Sequence, residues 1–190
     1  GTTDKSPAGN DPTGQVLTTG DGGKFGEGYS FDTNGGQITT TDSITLDGDF
    51  TIEFWMNTSN YDRHHGNDYW NRPLSTIGNY DRAGNIEFVF YNGSAATPNL
   101  GIFTYHDAGG NGMLINGDIP VADGNWHYIS LIRSGTNVIL YVDGVQSGST
   151  ATNNSVSYGN AQFVIGASGQ DLTLGRFVGT IDDLRITKAA

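Results

Sequence analysis

Apolar residues alternate with polar residues along many short stretches of this chain, and turn-forming residues separate the stretches. In residues 50–57, FTIEFWMN, every second position is apolar. Because successive side chains of a strand point to opposite faces, this period of two is typical of a β-strand. Comparable stretches predict strands over 85–92, 99–105, 125–133, 137–143, 162–166 and 177–187, with weaker signals over 15–19, 29–32, 37–40 and 73–78.

The faces of the clearest strands are mixed rather than purely polar or apolar, which predicts central strands that are contacted on both sides. Tight-turn residues, Ser134–Thr136 and Asp143-Gly144, bound the 137–143 stretch. No helix is expected. Eleven to thirteen strands at this spacing predict an all-β fold, a two-sheet antiparallel jelly-roll sandwich. The aromatic residues expected to fill its core are Phe54, Trp55, Phe88, Phe90, Phe103, Trp126, Tyr141 and Phe163.

Composition narrows the function classes. The 190 residues carry 9 basic and 20 acidic side chains, a net charge of −11, and this charge disfavours nucleic acids and anionic membranes as partners. No apolar run approaches the roughly 18 residues of a membrane-spanning helix, so membrane insertion is not expected. The absence of cysteine excludes thiol chemistry and cysteine zinc sites. Seventeen of the acids are Asp, a residue that favours turns and cation sites.

Several motifs occur in an order that resembles one known family. They are an entry with Phe25, Phe31 and Asp32, then FTIEFW, DGNWH, LYVDG and a closing GTIDDLRI. This order resembles the laminin-G-like branch of the concanavalin A-like lectin/glucanase superfamily, from about residue 24 to 187. The resemblance implies a concanavalin A-like sandwich over residues 24–190, and residues 1–23 are expected to form an irregular N-terminal edge or lead-in.

The closing strand carries the candidate metal ligand. Strict alternation puts Asp182 on the face of Leu184 and Ile186, and a carboxylate on an apolar face needs a partner, which is Ca²⁺, an arginine or backbone N–H groups. The resemblance implies a structural Ca²⁺ held between this aspartate and the N-terminal segment, with Asp32 as the second ligand. The resemblance also implies a second Ca²⁺ site at the rim of the sandwich, and the residues here that correspond best to its ligands are Asp81, Asn85 and Asp171.

One loop, residues 59–72 with the sequence SNYDRHHGNDYWNR, is long and rich in aromatic and polar groups for a connection between strands. Aromatic rings with a few convergent polar groups are the general form of a polar ligand site. The loop also fits a rim on which the aromatics fold back, or a protein interface anchored by Tyr, Trp and Arg. Its candidate ligand-binding residues are Tyr61, Asp62, His64, His65, Asp68, Tyr69 and Trp70.

Catalysis is not expected. Glu53 and Glu87 are isolated in separate strands, whereas glycoside hydrolysis needs a close carboxylate pair, and His127 is expected to be structural. We interpret the chain as a non-catalytic extracellular or cell-surface module for binding or adhesion, whose partner is a carbohydrate or a protein surface. The alternative is a structural or assembly domain of a virion or a large surface protein, which implies a homo-oligomer or a larger assembly.

Overall fold

A computed structural model describes residues 18–32, 36–60, 71–77, 85–91, 99–105, 112–151 and 160–189. Every regular element in these ranges is a β-strand. No helix there is long and apolar enough to cross a membrane. The strands are β1 (Thr18–Gly23), β2 (Gly26–Phe31), β3 (Ile38–Thr39), β4 (Ile44–Thr45), β5 (Phe50–Asn57), β6 (Leu74–Thr76), β7 (Asn85–Tyr91), β8 (Asn99–Tyr105), β9 (Gly112–Pro120), β10 (Trp126–Ser134), β11 (Asn137–Val142), β12 (Val145–Ala151), β13 (Asn160–Ala161), β14 (Phe163–Ile165) and β15 (Gly179–Thr187).

The strands form two large sheets and one small one. The first has seven strands in the order β1-β2-β15-β5-β10-β11-β12, the second has six in the order β3-β14-β6-β7-β8-β9, and β13 pairs with β4. All of these pairs are antiparallel. The predicted two-sheet antiparallel sandwich is confirmed, and β5 lies at the centre of the seven-stranded sheet, as its mixed faces predicted.

The core lies between the inward faces of the two large sheets. In β5 the pattern of burial alternates strictly, with Phe50, Ile52, Phe54 and Met56 buried. Phe54 meets Phe88 of the opposite sheet edge to face, with their ring centroids 5.2 Å apart. The core positions predicted for Phe54, Phe88, Phe90 and Phe163 are confirmed, while the side chain of Phe103 lies outside the described part.

Three aromatic residues predicted for the core lie on the outward face instead. Trp55, Trp126 and Tyr141 each alternate with buried neighbours along their strands, so their side chains lie on the opposite face from the core. Trp55 lies opposite Tyr128 of β10 on this outward face. Each of the three is only partly buried. The prediction was wrong because it ranked residues by apolar size, whereas the pleat assigns each side chain to a face by its position.

The N-terminal part of the described chain contributes a strand to the seven-stranded sheet. Residues 18–23 form β1, which pairs with β2 as a hairpin. The predicted boundary between residues 23 and 24 therefore falls in the β1–β2 turn, and at least this part of the expected lead-in is regular strand. Residues 1–17 lie outside the described ranges. Within these ranges β1 is an edge strand, since β2 is its only partner.

A β-bulge in β15 changes which residues face outward. Asp182 pairs with Trp55 and Arg185 pairs with Glu53, so two residues of β15 lie opposite a single residue of β5. Asp183 takes up the extra length with a φ of 51°. The bulge puts Asp182 and Arg185 on the outward face with Trp55, while Leu184 packs against the core. The expectation that Asp182 shares a face with Leu184 was therefore wrong, because strict alternation does not survive a bulge.

Candidate functional site

The ligand residues predicted in the 59–72 loop lie outside the described residues. They are Tyr61, Asp62, His64, His65, Asp68, Tyr69 and Trp70, and they stay a prediction. The described residues contain another concentration of aromatic and polar groups, on the outward face of the seven-stranded sheet where β15, β5 and β10 run side by side.

Three aromatic rings form the apolar part of this surface. The centroid of the Phe25 ring lies 5.7 Å from that of Trp55 in an edge-to-face contact, and the Tyr128 centroid lies 5.3 Å from Trp55 on its other side. Phe25 is 69% exposed, an unusual state for a phenylalanine. We call the outward surface around these three rings, with Lys24, Glu53, Asp182, Asp183 and Arg185, the Trp55 face.

Asp182 fixes the β1–β2 turn at the edge of this surface. Its Oδ2 accepts a hydrogen bond of 3.0 Å from the backbone N–H of Phe25, and its Oδ1 accepts one of 2.8 Å from the N–H of Asp183. The residue therefore satisfies two backbone donors, one in the turn and one in the bulge. This tether holds Phe25 and Lys24 beside Trp55, so Asp182 positions the aromatic surface.

A charged network forms the polar part of the Trp55 face. The hydroxyl of Tyr128 donates a 2.5 Å hydrogen bond to Oε2 of Glu53. Burial, the bond to Glu53 and its negative charge raise the pKa of Tyr128 to about 12, so the hydroxyl keeps its proton. Arg185 lies 3.8 Å from Oε1 of Glu53 and 2.6 Å from Oδ2 of Asp183. The network holds carboxylate oxygens in fixed positions next to aromatic rings.

This arrangement can bind a polyhydroxylated ligand. Aromatic rings contact the apolar faces of such ligands, and carboxylate oxygens accept hydrogen bonds from hydroxyl groups. The two glutamates considered above, Glu53 and Glu87, do not form the close carboxylate pair of a glycosidase. Glu53 lies on the outward face of the seven-stranded sheet, whereas Glu87 lies in the other sheet, buried and bonded to Arg72 at 3.1 Å.

The two predicted calcium ligands do not converge. Asp182 lies one residue beyond one end of the β2–β15 pairing, and Asp32 lies one residue beyond the other end. They are thus four residues apart along the strands, about 13 Å, which is more than two aspartates can span to one Ca²⁺. Both oxygens of Asp182 also accept backbone hydrogen bonds. In the described ranges no group of three acidic, histidine or cysteine side chains fits a metal ion.

The predicted rim site for a cation is not assembled by its described members. Asn85 is buried, and its Oδ1 accepts a hydrogen bond of 2.6 Å from Thr76. Asp171 is exposed and bonds to the backbone and side chain of Thr173. Asp81 lies outside the described part of the chain, so the complete trio stays untested.

A second polar cluster surrounds His127 at the end of the sandwich. Its Nδ1 lies 2.8 Å from Oδ2 of Asp143, and its Nε2 lies 3.0 Å from Oδ1 of Asp123. Asp143 occupies a turn with a φ of 53°, and its Oδ1 accepts from the backbone N–H of Tyr128. The imidazole therefore links two loops to β10, which agrees with the structural role expected for His127.

The charges and hydrogen bonds of this cluster shift the pKa values of His127 and Asp123. Burial disfavours the charged imidazole, but the hydrogen bonds and negative charges of Asp143 and Asp123 outweigh burial, so the pKa of His127 is raised above 6.5. Hydrogen bonds from the side chain and backbone of Asn125, then one from His127, lower the pKa of Asp123 to about 2. When His127 is protonated, both of its ring nitrogens can donate to these carboxylates, Nδ1 to Asp143 and Nε2 to Asp123.

We expect His127 to make the stability of the protein fall as pH rises. Because the folded state binds this proton more tightly than the unfolded chain, the contribution is complete below pH 6.5 and is lost as pH passes the raised pKa. Urea midpoints of the wild type and a His127→Gln variant between pH 5.5 and 8.5 check this. The difference between the two proteins should shrink as pH rises, and a difference that grows would contradict the assignment.

Part of the Trp55 face could be predicted from the sequence. Alternation in β5 places Glu53 and Trp55 on the same face, and this holds. The sequence gives no signal for the contribution of Lys24 and Phe25, which depends on the tether to Asp182, or for the outward turn of Arg185, which depends on the bulge.

Comparison with known proteins places this geometry in context. Residues 31–190 match the Laminin_G_3 family model, described as the concanavalin A-like lectin/glucanases superfamily. A search of curated proteins finds no match.

Solved structures share the fold at low sequence identity. Domain 4 of AbnA, an extracellular arabinanase from Geobacillus stearothermophilus solved in complex with arabinotriose, is 18% identical with a TM-score of 0.69, covering 94% of this chain and 82% of that chain. The binding domain of Paraclostridial Mosquitocidal Protein 1 is 17% identical with a TM-score of 0.73, and the aligned part covers 99% of this chain but 46% of that one. A SAP-like pentraxin from Limulus polyphemus is 15% identical with a TM-score of 0.61, covering 95% and 77%.

Proposed function

Since the chain belongs to the Laminin_G_3 family of the concanavalin A-like lectin/glucanases superfamily, we propose that it is a non-catalytic module that binds carbohydrate. The observation that carries the proposal is the Trp55 face, where the partly buried rings of Trp55 and Tyr128 on central strands, and the exposed ring of Phe25 in the β1–β2 turn, lie beside fixed carboxylates. A rigid sheet holds these groups in place before a ligand arrives, which lowers the entropy that binding costs.

Two solved structures of the same fold support this ligand class. One is an arabinanase domain solved with arabinotriose, and another is the binding domain of botulinum neurotoxin DC solved with SialylT. The second is 12% identical, and the present chain covers 45% of it. We extend the proposal to the location of the protein: it acts outside the cell, on a cell surface or on a virion, where glycans are presented.

Replacing Trp55 by alanine is expected to weaken glycan binding about 30-fold or more, because a central aromatic anchor contributes about 2 kcal/mol or more to such a contact. The measurement is a glycan array followed by calorimetric titration of the glycans bound by the wild type. Tyr141→Ala is the matched control, since Tyr141 also faces outward but lies two strands from β5. Equal loss in both variants, or no loss in Trp55→Ala, would refute the assignment of the site.

A structural or assembly role is the second candidate, and the edge strand β1 is the observation that favours it. In the described ranges β1 pairs only with β2, and strand addition by another chain at its other edge would extend the seven-stranded sheet. Sedimentation equilibrium separates the two candidates. A stable trimer or larger assembly favours the assembly role, and a monomer that binds glycan favours the binding module.

A further inference from the structure

The ammonium group of Lys24 occupies part of the surface on which a sugar ring would stack. Its Nζ lies 4.6 Å from the centroid of the Trp55 ring, within the range of a cation–π contact. No carboxylate in the described ranges forms an ion pair with Lys24. Trp55 is thus the partner that the structure assigns to this charge.

The fold holds the backbone of Lys24 next to Trp55. Phe25, the next residue, is held by its N–H bond to Asp182 and by its edge contact with Trp55. The β1–β2 turn therefore keeps the lysine above the ring. A C–H face of a sugar and an ammonium group both bind to the π surface of an indole, and one ring face accommodates only one of them.

The charges around Trp55 indicate which ligand can replace the lysine. Each of the three carboxylates of the Trp55 face already accepts a hydrogen bond from a protein donor, so their oxygens are oriented as acceptors. They outnumber the two cations, Lys24 and Arg185, and the whole chain carries −11. An acidic glycan would meet repulsion here, whereas hydroxyl groups can donate to the remaining lone pairs of these carboxylates.

Building on the proposed function, we infer that the Trp55 face selects neutral, hydroxyl-rich glycans, and that Lys24 is a cap which the bound sugar ring displaces from Trp55. Lys24 lowers the affinity for neutral sugars because its contact with the indole must be broken first. It also covers the partly buried Trp55 ring while no ligand is present, which limits non-specific association of that surface.

The test compares the wild type with Lys24→Gln, which removes the charge, and with Lys24→Arg, which keeps it. The probes are arabinotriose, xylotriose and cellotriose as neutral glycans, and trigalacturonate and sialyllactose as acidic ones. Because an exposed cation–π contact is weak, Lys24→Gln should lower the Kd for neutral probes by about two- to fivefold. Lys24→Arg should stay within about twofold of the wild type, and the acidic probes should bind more weakly than the neutral ones.

NMR provides a readout of the displacement itself. In the free protein the ε-methylene protons of Lys24 should be shifted upfield by the Trp55 ring, and saturation with a neutral probe should return them towards the values of an exposed lysine. Lys24 protons that stay upfield in the complex would overturn the cap. Both Lys24 variants should melt like the wild type, because the Lys24 side chain is exposed. Such melting curves are the control that both variants fold.

The outcomes separate this inference from the proposed function. Binding that is lost in Trp55→Ala but unchanged or weaker in Lys24→Gln overturns the cap and leaves the carbohydrate module in place. Acidic probes that bind better than neutral ones, and lose affinity in Lys24→Gln, show that the lysine is instead an anchor for anionic sugars. No binding of any probe by the wild type or by Lys24→Gln overturns both proposals.

Discussion

Replacing Glu87 by alanine should lower the free energy of unfolding by about 3–5 kcal/mol, because it leaves a buried guanidinium without its carboxylate. Nε of Arg72 donates to Oε2 of Glu87 at 3.1 Å, and the two side chains are 7% and 2% exposed. Removing a charge from a dehydrated pair costs far more than removing one at the surface. Urea denaturation of the wild type and the variant measures the difference.

Arg185→Ala is the control for this prediction. Its guanidinium lies 2.6 Å from Asp183, closer than Arg72 lies to Glu87, but the arginine side chain is 61% exposed. Solvent weakens such a pair, so the loss of stability should be about 1 kcal/mol or less. Similar losses in the two variants would show that burial does not set the strength of the Arg72–Glu87 pair.

Truncating Phe54 to alanine should cost about 3–5 kcal/mol, whereas truncating Trp126 should cost on the order of 1 kcal/mol. Phe54 is fully buried between the sheets against Phe88, so its removal leaves a cavity. Trp126 is the larger side chain but lies partly exposed on the outward face. If the size of the side chain set the loss of stability, Trp126→Ala would cost more than Phe54→Ala. Chemical denaturation of both variants measures the two losses. A larger loss for Trp126→Ala would place this tryptophan in the core after all.

Much of the sheet structure follows from local sequence. The predicted strand over residues 50–57 is the observed β5, and the predicted strand over 99–105 is the observed β8. These segments have strong β-forming residues between turn signals, so local preference and tertiary structure agree. β9 and β12 were missed because glycines interrupt both, and β12 has only one large apolar residue, Val145. Pairing with neighbouring strands, which a single sequence does not show, defines them.

The candidate site was harder to predict than the fold because it depends on two long-range features. The bulge at Asp183 reverses the orientation that alternation assigns to Asp182, and no local signal marks it. The hydrogen bond from Phe25 to Asp182 joins residues 157 positions apart in the chain. A carboxylate that looked like a metal ligand in the sequence thus holds a backbone N–H in the structure, and this bond places an exposed phenylalanine beside Trp55.

The most direct test of the central claim is to follow the three tryptophan indole N–H signals by NMR while a neutral glycan bound by the wild type is added. Trp55, Trp70 and Trp126 give one signal each, assigned by single replacements. We predict that the Trp55 signal shifts most and in proportion to saturation. A titration in which the Trp70 signal moves while that of Trp55 stays fixed would place the site in the 59–72 loop and contradict binding at the Trp55 face.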